Sequence, residues 1–168
     1  SALGIDVFID ELELYKEKIE YNDNQFIRVL QKYWGKTAQF RPLLFYKNPD
    51  CSRETEVISQ GQIIAEIVDQ CEVAQDGEPF SNIFITAPTG SGKSILFQIP
   101  AIYLAEKYNL VTIVVSPLIA LMNDQVDQLQ RERGISIAAC LNSSMSIEER
   151  GNVLEQIHAG KKSLLYLA

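Results

Sequence analysis

Residues 87–94 read Ala-Pro-Thr-Gly-Ser-Gly-Lys-Ser. An apolar triplet, Ile-Phe-Ile, precedes this run at 83–85, and a largely apolar segment follows it. Glycines at 90 and 92 let the backbone curl so that several N–H groups point inward, and the start of a helix adds the positive end of its dipole. The run therefore predicts a strand at 83–85, a phosphate-binding loop, and a helix that starts near Gly92.

Two side chains of this loop are expected to carry the chemistry. Lys93 brings a mobile positive charge to the outer phosphates of a nucleoside triphosphate, and Ser94 offers a hydroxyl to Mg²⁺. We predict both as catalytic residues, with Ser94 as the metal ligand and ATP and Mg²⁺ as the cofactors. Ala87 occupies a position that is Gly in the strict pattern, and it is small enough for the turn. The predicted nucleotide-binding residues are Thr89, Gly90, Ser91, Gly92, Lys93 and Ser94.

Strands and helices alternate through the second part of the chain. Apolar runs predict strands at 111–115, 135–139 and 164–167, and helical periodicity predicts helices at 118–130 and 146–158. The second of these helices opens with Ser146 and Glu149, which is the spacing of a capping box. Such alternation predicts an α/β fold with a mostly parallel sheet that is covered on both faces.

The first part of the chain has a different pattern. Apolar residues at helical spacing predict two amphipathic helices, one from about Leu3 to Ile19 and one around Phe26 to Tyr33, ended by Gly35. A short strand at 42–46 and a helix at 57–71 are predicted next. We divide the chain into an N-terminal accessory helical segment (1–53) and an α/β domain (54–168). The accessory segment either packs on the core or contacts a partner or DNA.

Composition limits the function further. The 168 residues are 46% hydrophobic and carry a net charge of −7, which is acidic for a nucleic-acid binder. Three scattered cysteines, at 51, 71 and 140, and a single histidine, His158, predict neither a disulfide framework nor a zinc site. The absence of a long apolar run predicts no membrane span. Because 163–168 has the pattern of a core strand at the end of the chain, we expect a fragment of a longer protein.

Several strings resemble the first motor domain of RecQ-type helicases of superfamily two. The run 116–126, Ser-Pro-Leu-Ile-Ala-Leu-Met-Asn-Asp-Gln-Val, is the most specific of them. The loop at 87–94, the segment 94–101, the segment 141–146 and the end of the chain from 160 also fit. The resemblance covers about the last half of the chain and implies a P-loop, RecA-like, three-layer α/β fold.

The same resemblance implies contacts with a DNA strand. It assigns Ser116 and Pro117 to a motif that touches the strand's backbone, and hydroxyl and free N–H groups at such positions are suitable phosphate ligands. It assigns Asn142 and Ser143 to a second strand-contacting loop; an ordinary capping loop is the alternative. Asp124 and Gln125 also match the family pattern, with either a functional or a structural role.

Upstream of the loop, the resemblance implies a glutamine that reads the edge of adenine. Gln60 is the first candidate and Gln62 the second. The family places Phe-Arg shortly before this glutamine, whereas Glu56 and Val57 stand there in this chain. A Phe-Arg-Pro string does occur, but at 40–42, which suggests a rearranged or inserted segment.

The family's Asp-Glu-x-His box does not occur in these 168 residues. We therefore predict that this chain alone binds nucleotide weakly and neither hydrolyses it well nor unwinds DNA. The function implied is that of an ATP-dependent 3′-to-5′ DNA helicase or translocase in a longer protein, with ATP and single-stranded or duplex DNA as partners, in the bacterial cytoplasm and on the nucleoid. The alternatives are an RNA helicase of the same superfamily and a nucleotide-regulated, partner-binding module without motor activity.

Overall fold

The computed structural model describes residues 24–47 and 53–168. The helix predicted from Leu3 to Ile19, and Cys51, lie outside these residues. In chain order the elements are α1 (Asn24–Trp34), β1 (Pro42–Tyr46), β2 (Thr55–Ser59), α2 (Gln60–Gln75), α3 (Lys93–Tyr108), β3 (Thr112–Val115), α4 (Ile119–Asp127) with a π-helical turn (Gln128–Glu132), β4 (Ala138–Leu141), α5 (Ile147–His158) and β5 (Leu164–Leu167).

A parallel sheet of three strands forms the centre of the fold, in the order β3-β5-β4. Leu164, Leu165 and Tyr166 are all buried in β5. Because successive side chains of a strand point to opposite faces, this central strand is covered on both sides. Helices α3, α4 and α5 pack against β5 and β4. The predicted α/β class and parallel sheet are confirmed.

The outer strand β3 is less covered than its sequence predicts. Val115 is 80% exposed and Ile113 is 58% exposed, although the apolar run at 111–115 is typical of a strand buried on both faces. Thr112 and Val114 on the opposite face are half-buried. Among the described residues β3 pairs on one side only, with β5.

A second, two-stranded sheet is an antiparallel hairpin of β1 and β2, in which Pro42 pairs with Ser59 and Tyr46 with Thr55. The inward-facing side chains of Leu43, Phe45 and Ile58 pack against the core. The strand at 42–46 is confirmed with the predicted bounds. Strand β2 was not predicted, because its residues were assigned in part to the following helix.

Helix α2 consequently begins later than predicted, at Gln60 rather than at 57. Ser59 ends β2 and caps α2: its hydroxyl accepts a hydrogen bond from the Gln62 N–H, while its own N–H donates to Gln62 Oε1. This reciprocal pair satisfies two donors at the helix start. The chain therefore changes from strand to helix within one residue.

Helix α1 shares the core with α2 and α3. Phe26 and Leu30 are buried, and the Phe26 ring packs edge-on against Tyr103 of α3 at a centroid distance of 5.0 Å. Gly35 follows the helix with φ of 111°, as its predicted role at the helix end requires. The division of the chain at residue 53 stays a prediction.

The predicted strand at 83–85 is wrong. These residues form neither strand nor helix, and the Phe84 side chain is 94% exposed. A strand needs a neighbouring strand for its backbone hydrogen bonds, and the described part of the chain places none beside this segment. Residues 83–85 therefore have strand composition without a strand partner.

Two further elements have bounds that differ from the predicted ones, and two have the predicted bounds. The strand predicted at 135–139 lies at Ala138–Leu141, and the helix predicted at 118–130 is α-helical to Asp127 and continues as the π-helical turn. Helix α5 and strand β5 follow the predicted bounds, and α5 has the predicted capping box between Ser146 and Glu149. His158 is exposed at the end of α5, as predicted. None of the helices formed by residues 24–47 and 53–168 is long and apolar enough to cross a membrane.

Candidate nucleotide-binding site

The loop before α3 has the backbone shape that its glycines predict. Gly90 and Gly92 both adopt the left-handed conformation, with φ of 82° and 83°. An L-residue with a side chain pays about 1–2 kcal/mol to adopt this conformation, whereas glycine adopts it freely. Gly92 is also the residue that caps α3, so the loop leads directly into the helix start.

The Lys93 ammonium folds back over this loop. Its Nζ donates to the carbonyl oxygens of Ala87 at 2.6 Å and Pro88 at 2.7 Å. The Lys93 side chain is exposed. A positive charge is thus held at the mouth of the loop by two neutral acceptors, and a phosphate group is a stronger acceptor that could replace either of them.

The remaining loop residues fit a bound phosphate chain and its metal. The first N–H groups of α3 have no acceptor within the helix, and together with the helix dipole they favour an anion. The Ser91 hydroxyl is buried and has no hydrogen-bond partner among the described residues. Ser94, on the first turn of α3, lines a cavity of about 160 Å³ with Ser116 and Tyr166. This chemistry is compatible with ATP and Mg²⁺, and the assignment of Ser94 as the metal ligand stays a prediction.

Gln60 is brought against the loop, but its carboxamide binds backbone groups. Its Nε2 donates to the carbonyl oxygens of Gly92 at 3.2 Å and Ser91 at 3.4 Å, and its Oε1 accepts from the Arg41 N–H at 2.9 Å. The side chain is 2% exposed. The arrangement ties the start of α2 to the phosphate loop.

Gln62 lies two residues further into α2 and has a different environment. Its Oε1 serves the capping box, and the residue lines a cleft of about 390 Å³ whose walls come from α1 and α2. Gln25 and Phe26 lie on the α1 side of this cleft, and Glu66 and Asp69 on the α2 side.

The predicted DNA-contacting residues lie at one edge of the parallel sheet. Val115, Leu167 and Leu141 are the aligned last residues of the three strands, so Ser116 and Asn142 leave the sheet side by side with Ala168. The Ser116 N–H donates to Leu167 O at 2.9 Å, and Pro117 is exposed. The carboxyl edge of a parallel sheet is the usual place for ligand-binding loops.

Asn142 has a local structural role as well. It is buried, and its Oδ1 accepts two hydrogen bonds from Ser144, one from the Ser144 N–H at 3.0 Å and one from the Ser144 hydroxyl at 2.6 Å. This is the turn geometry that Asn side chains stabilise. Ser143 is exposed, and its carbonyl accepts a hydrogen bond from Arg150. Of this pair, Ser143 is therefore the residue free to reach a ligand.

Two contacts near the site were not predicted as such. Arg41 contacts Gln60 although the hairpin separates the two residues along the chain. The Phe-Arg-Pro string at 40–42 was the sequence feature that could have indicated this contact. Strands β1 and β2 lie between Arg41 and Gln60 along the chain, and the rearranged or inserted segment stays a prediction. Gln125 accepts a hydrogen bond from the buried Gln98 at 2.8 Å, which joins α4 to α3 and gives Gln125 a structural contact.

Comparison with known proteins identifies the family to which this fold belongs. The model of the DEAD/DEAH box helicase family matches residues 59–166. The chain belongs to this family. The matched residues include α2, the phosphate loop and all three strands of the parallel sheet.

Individual relatives of this helicase-family chain carry RecQ names. It is 50% identical over 84 residues to the ATP-dependent DNA helicase RecQ of Synechocystis, covering 50% of this chain and 16% of that protein. It is 44% identical over 90 residues to RecQ of Bacillus subtilis, covering 54% of this chain and 14% of that protein. It is 39% identical over 84 residues to the ATP-dependent DNA helicase Q4 of mouse, covering 50% of this chain and 7% of that protein. The aligned region is thus at most about a sixth of the length of these relatives.

Proposed function

We propose that this chain is the nucleotide-binding front part of an ATP-dependent DNA helicase or translocase of the RecQ type. The observation that carries the proposal is the loop at 87–94, with two left-handed glycines, a lysine held at its mouth and a helix start directly behind it. Thr89 to Ser94 bind the phosphates of ATP, and Ser94 holds Mg²⁺.

Each group of the loop has a distinct task when nucleotide binds. Lys93 leaves the carbonyls of Ala87 and Pro88 and places its charge on the outer phosphates. The N–H groups at the start of α3 hold the phosphate chain in place, and the Ser91 hydroxyl gains a partner. Bound Mg²⁺ supplies charge that neutralises the phosphates and favours the transfer.

The geometry of the sheet edge supports DNA as the second partner. Ser116, Pro117, Asn142 and Ser143 follow the aligned ends of β3 and β4, where they can contact the phosphates of a single strand. Four polar or small groups on one edge do not require a basic protein, so the net charge of −7 is compatible with this contact. We place the protein in the cytoplasm, and on the nucleoid when it is bound to DNA.

The test is ATP hydrolysis by the full-length protein, with single-stranded DNA, with single-stranded RNA and with neither. We expect DNA to stimulate hydrolysis strongly, and we expect Lys93→Ala to abolish this stimulation. Lys161→Ala is the matched control, because Lys161 is an exposed lysine that follows α5 and lies far from the loop along the chain; it should retain the stimulation. Equal stimulation by RNA supports the RNA helicase alternative. A rate that responds to neither nucleic acid supports the nucleotide-regulated module and contradicts the motor.

The names of the relatives favour DNA over RNA, since each of those three is called a DNA helicase. We also propose that the 168-residue chain alone binds nucleotide weakly and does not hydrolyse it well. Robust turnover by the isolated chain that Lys93→Ala leaves intact would contradict both parts of the proposal.

A further inference from the structure

A buried hydrogen bond joins the helix behind the phosphate loop to the helix that follows β3. Gln98 of α3 donates its Nε2 to Gln125 Oε1 of α4 at 2.8 Å. Gln98 is 4% exposed, and its neighbours in α3, Leu96 and Ile99, are buried apolar residues. A buried carboxamide without a partner costs free energy. Gln125 therefore satisfies a polar group that stands in an otherwise apolar part of the core.

The two helices are held together at this point by little else. A cavity of about 160 Å³ lies between them, with Ser94 and Phe97 on the α3 side and Leu121 and Gln125 on the α4 side. No other side-chain hydrogen bond or ion pair of the described residues runs between α3 and α4. Closely packed elements transmit a displacement directly, whereas elements separated by a gap can shift relative to each other. The position of α4 relative to α3 therefore depends on this bond.

On the α3 side, the bond lies one turn from the residues that hold nucleotide in the proposed site. Gln98 follows Ser94 by four residues, and side chains at this spacing lie on the same face of a helix. Lys93 is bonded to the carbonyls of Ala87 and Pro88, and it must leave them to reach a phosphate. The first turn of α3 therefore has different contacts with and without nucleotide.

On the α4 side, the helix begins at the sheet edge that is predicted to contact DNA. Ser116 follows β3, and its hydroxyl accepts a hydrogen bond at 3.4 Å from the N–H of Leu118, the residue that caps α4. Gln125 lines the same cavity as Ser116. Because a helix moves largely as one body, a shift of α4 at Gln125 also displaces its start and the Ser116 hydroxyl bonded there.

We propose that the Gln98–Gln125 hydrogen bond couples the two sites, so that nucleotide at the phosphate loop and a DNA strand at the sheet edge change each other's affinity through α3 and α4. Both are positioning residues, because they act through the helices and not by touching either ligand. The inference rests on the proposed function, since it requires the loop to bind nucleotide and the edge to bind DNA. Coupling of this kind is reciprocal: each ligand changes the affinity for the other by the same factor.

The experiment measures two pairs of dissociation constants for the full-length protein. The first pair is for a non-hydrolysable ATP analogue with Mg²⁺, in the presence and absence of a single-stranded oligodeoxythymidylate. The second pair is for the oligodeoxythymidylate, in the presence and absence of the analogue. The ratio within each pair is the coupling factor, and factors of roughly 5 to 150 are usual for coupled sites.

The double variant Gln98→Met/Gln125→Met removes the bond and leaves no unpaired carboxamide. Methionine is unbranched, apolar and adaptable, so it can fill the same space. Replacing both partners by apolar groups of similar shape is nearly neutral for stability. We expect the coupling factor to fall towards one in both pairs, while the constants for the analogue alone and for DNA alone stay as in the wild type.

Two variants serve as controls. Gln125→Glu keeps an oxygen that accepts from Gln98 Nε2, and residue 125 is only half-buried, so we expect the wild-type coupling factor. Tyr103→Phe removes a side-chain hydrogen bond of the same helix to a different neighbour, since the Tyr103 hydroxyl donates to Gln25 of α1 at 3.0 Å. It should also leave the coupling factor unchanged.

A double variant that keeps the wild-type coupling factor overturns the inference. A loss of coupling that Gln125→Glu or Tyr103→Phe reproduces in full also overturns it, because the effect would then come from a general loosening of the helices. Wild-type protein that binds both ligands independently overturns it as well. Wild-type protein that fails to bind the analogue or the DNA contradicts the proposed function instead.

Discussion

Replacing Gly92 by alanine tests the contact between the phosphate loop and the Gln60 side chain. The added Cβ would stand 2.7 Å from Gln60 Nε2, closer than heavy atoms approach without a shift. The backbone at Gly92 would also have to hold φ of 83° with a side chain present. The substitution therefore combines a conformational cost with a displacement of Gln60.

The two costs can be separated in magnitude. The left-handed conformation costs an alanine about 1–2 kcal/mol. Displacing the Gln60 tip breaks its hydrogen bonds to the Ser91 and Gly92 carbonyls, at about 1 kcal/mol each. We expect Gly92→Ala to lower the free energy of unfolding by about 3–4 kcal/mol, which is a large part of the stability of a small domain.

Gly90→Ala is the matched control in the same loop. Gly90 has φ of 82°, and a Cβ there would meet no atom within 4 Å. It should therefore show the conformational cost alone, about 1–2 kcal/mol. Urea denaturation followed by circular dichroism gives both values, and repeating Gly92→Ala in a Gln60→Ala background should recover the difference.

Equal destabilisation by Gly90→Ala and Gly92→Ala would refute this reasoning, because the contact with Gln60 would then contribute nothing. A Gly92→Ala penalty that persists in full without the Gln60 side chain would refute it as well, since the displaced group would be absent.

Three further predictions follow from single contacts. Lys93→Ala should lower the affinity for ATP at least tenfold, measured by isothermal titration, because it removes the positive charge held at the mouth of the loop, where the outer phosphates are proposed to bind. Ser59→Ala should cost about 1–2 kcal/mol of unfolding free energy, more than Ser146→Ala, since both cap helices but only Ser59 is buried. A hydrogen bond from Lys107 holds the pKa of Glu72 below its ordinary 4.5. The ionised Glu72 carboxylate therefore stabilises the folded state above that pH, and this stabilisation is lost as the pH falls through the lowered pKa. Glu72→Gln should flatten the fall in melting temperature at acid pH; an unchanged slope would contradict it.

Local features of the sequence were sufficient for much of the fold. The loop at 87–94 and helix α5 depend on glycines and on a capping box that lie within a few residues of each other, so their positions could be predicted. Strand β5 has the buried apolar pattern of a central strand and was predicted with the observed bounds. Turns and helix caps depend only on neighbouring residues, and the continuous apolar run of β5 identifies a buried strand without knowledge of its partners.

Features that depend on distant partners were harder to predict. Residues 83–85 have the composition of a strand but no neighbouring strand in the described residues, and β2 forms because β1 lies beside it. Both outcomes depend on pairing, which a single stretch of sequence does not specify.

The contacts of Gln60 could not be predicted from the sequence for the same reason. Its position before an apolar helix was visible, and it was a sound candidate for the site. Its partners come from Arg41 on one side and from the phosphate loop on the other, and neither contact leaves a local pattern. In the sequence, only the unexpected distance of the Phe-Arg-Pro string from Gln60 suggested a rearranged or inserted segment.

An antiparallel hairpin returns the chain to the point where it left, so β1 and β2 bring the chain back from Arg41 to the start of α2. Arg41 and Gln60 are neighbours in space whatever the number of residues that the hairpin contains between them. The length of the hairpin tip can therefore change without separating Arg41 from the start of α2.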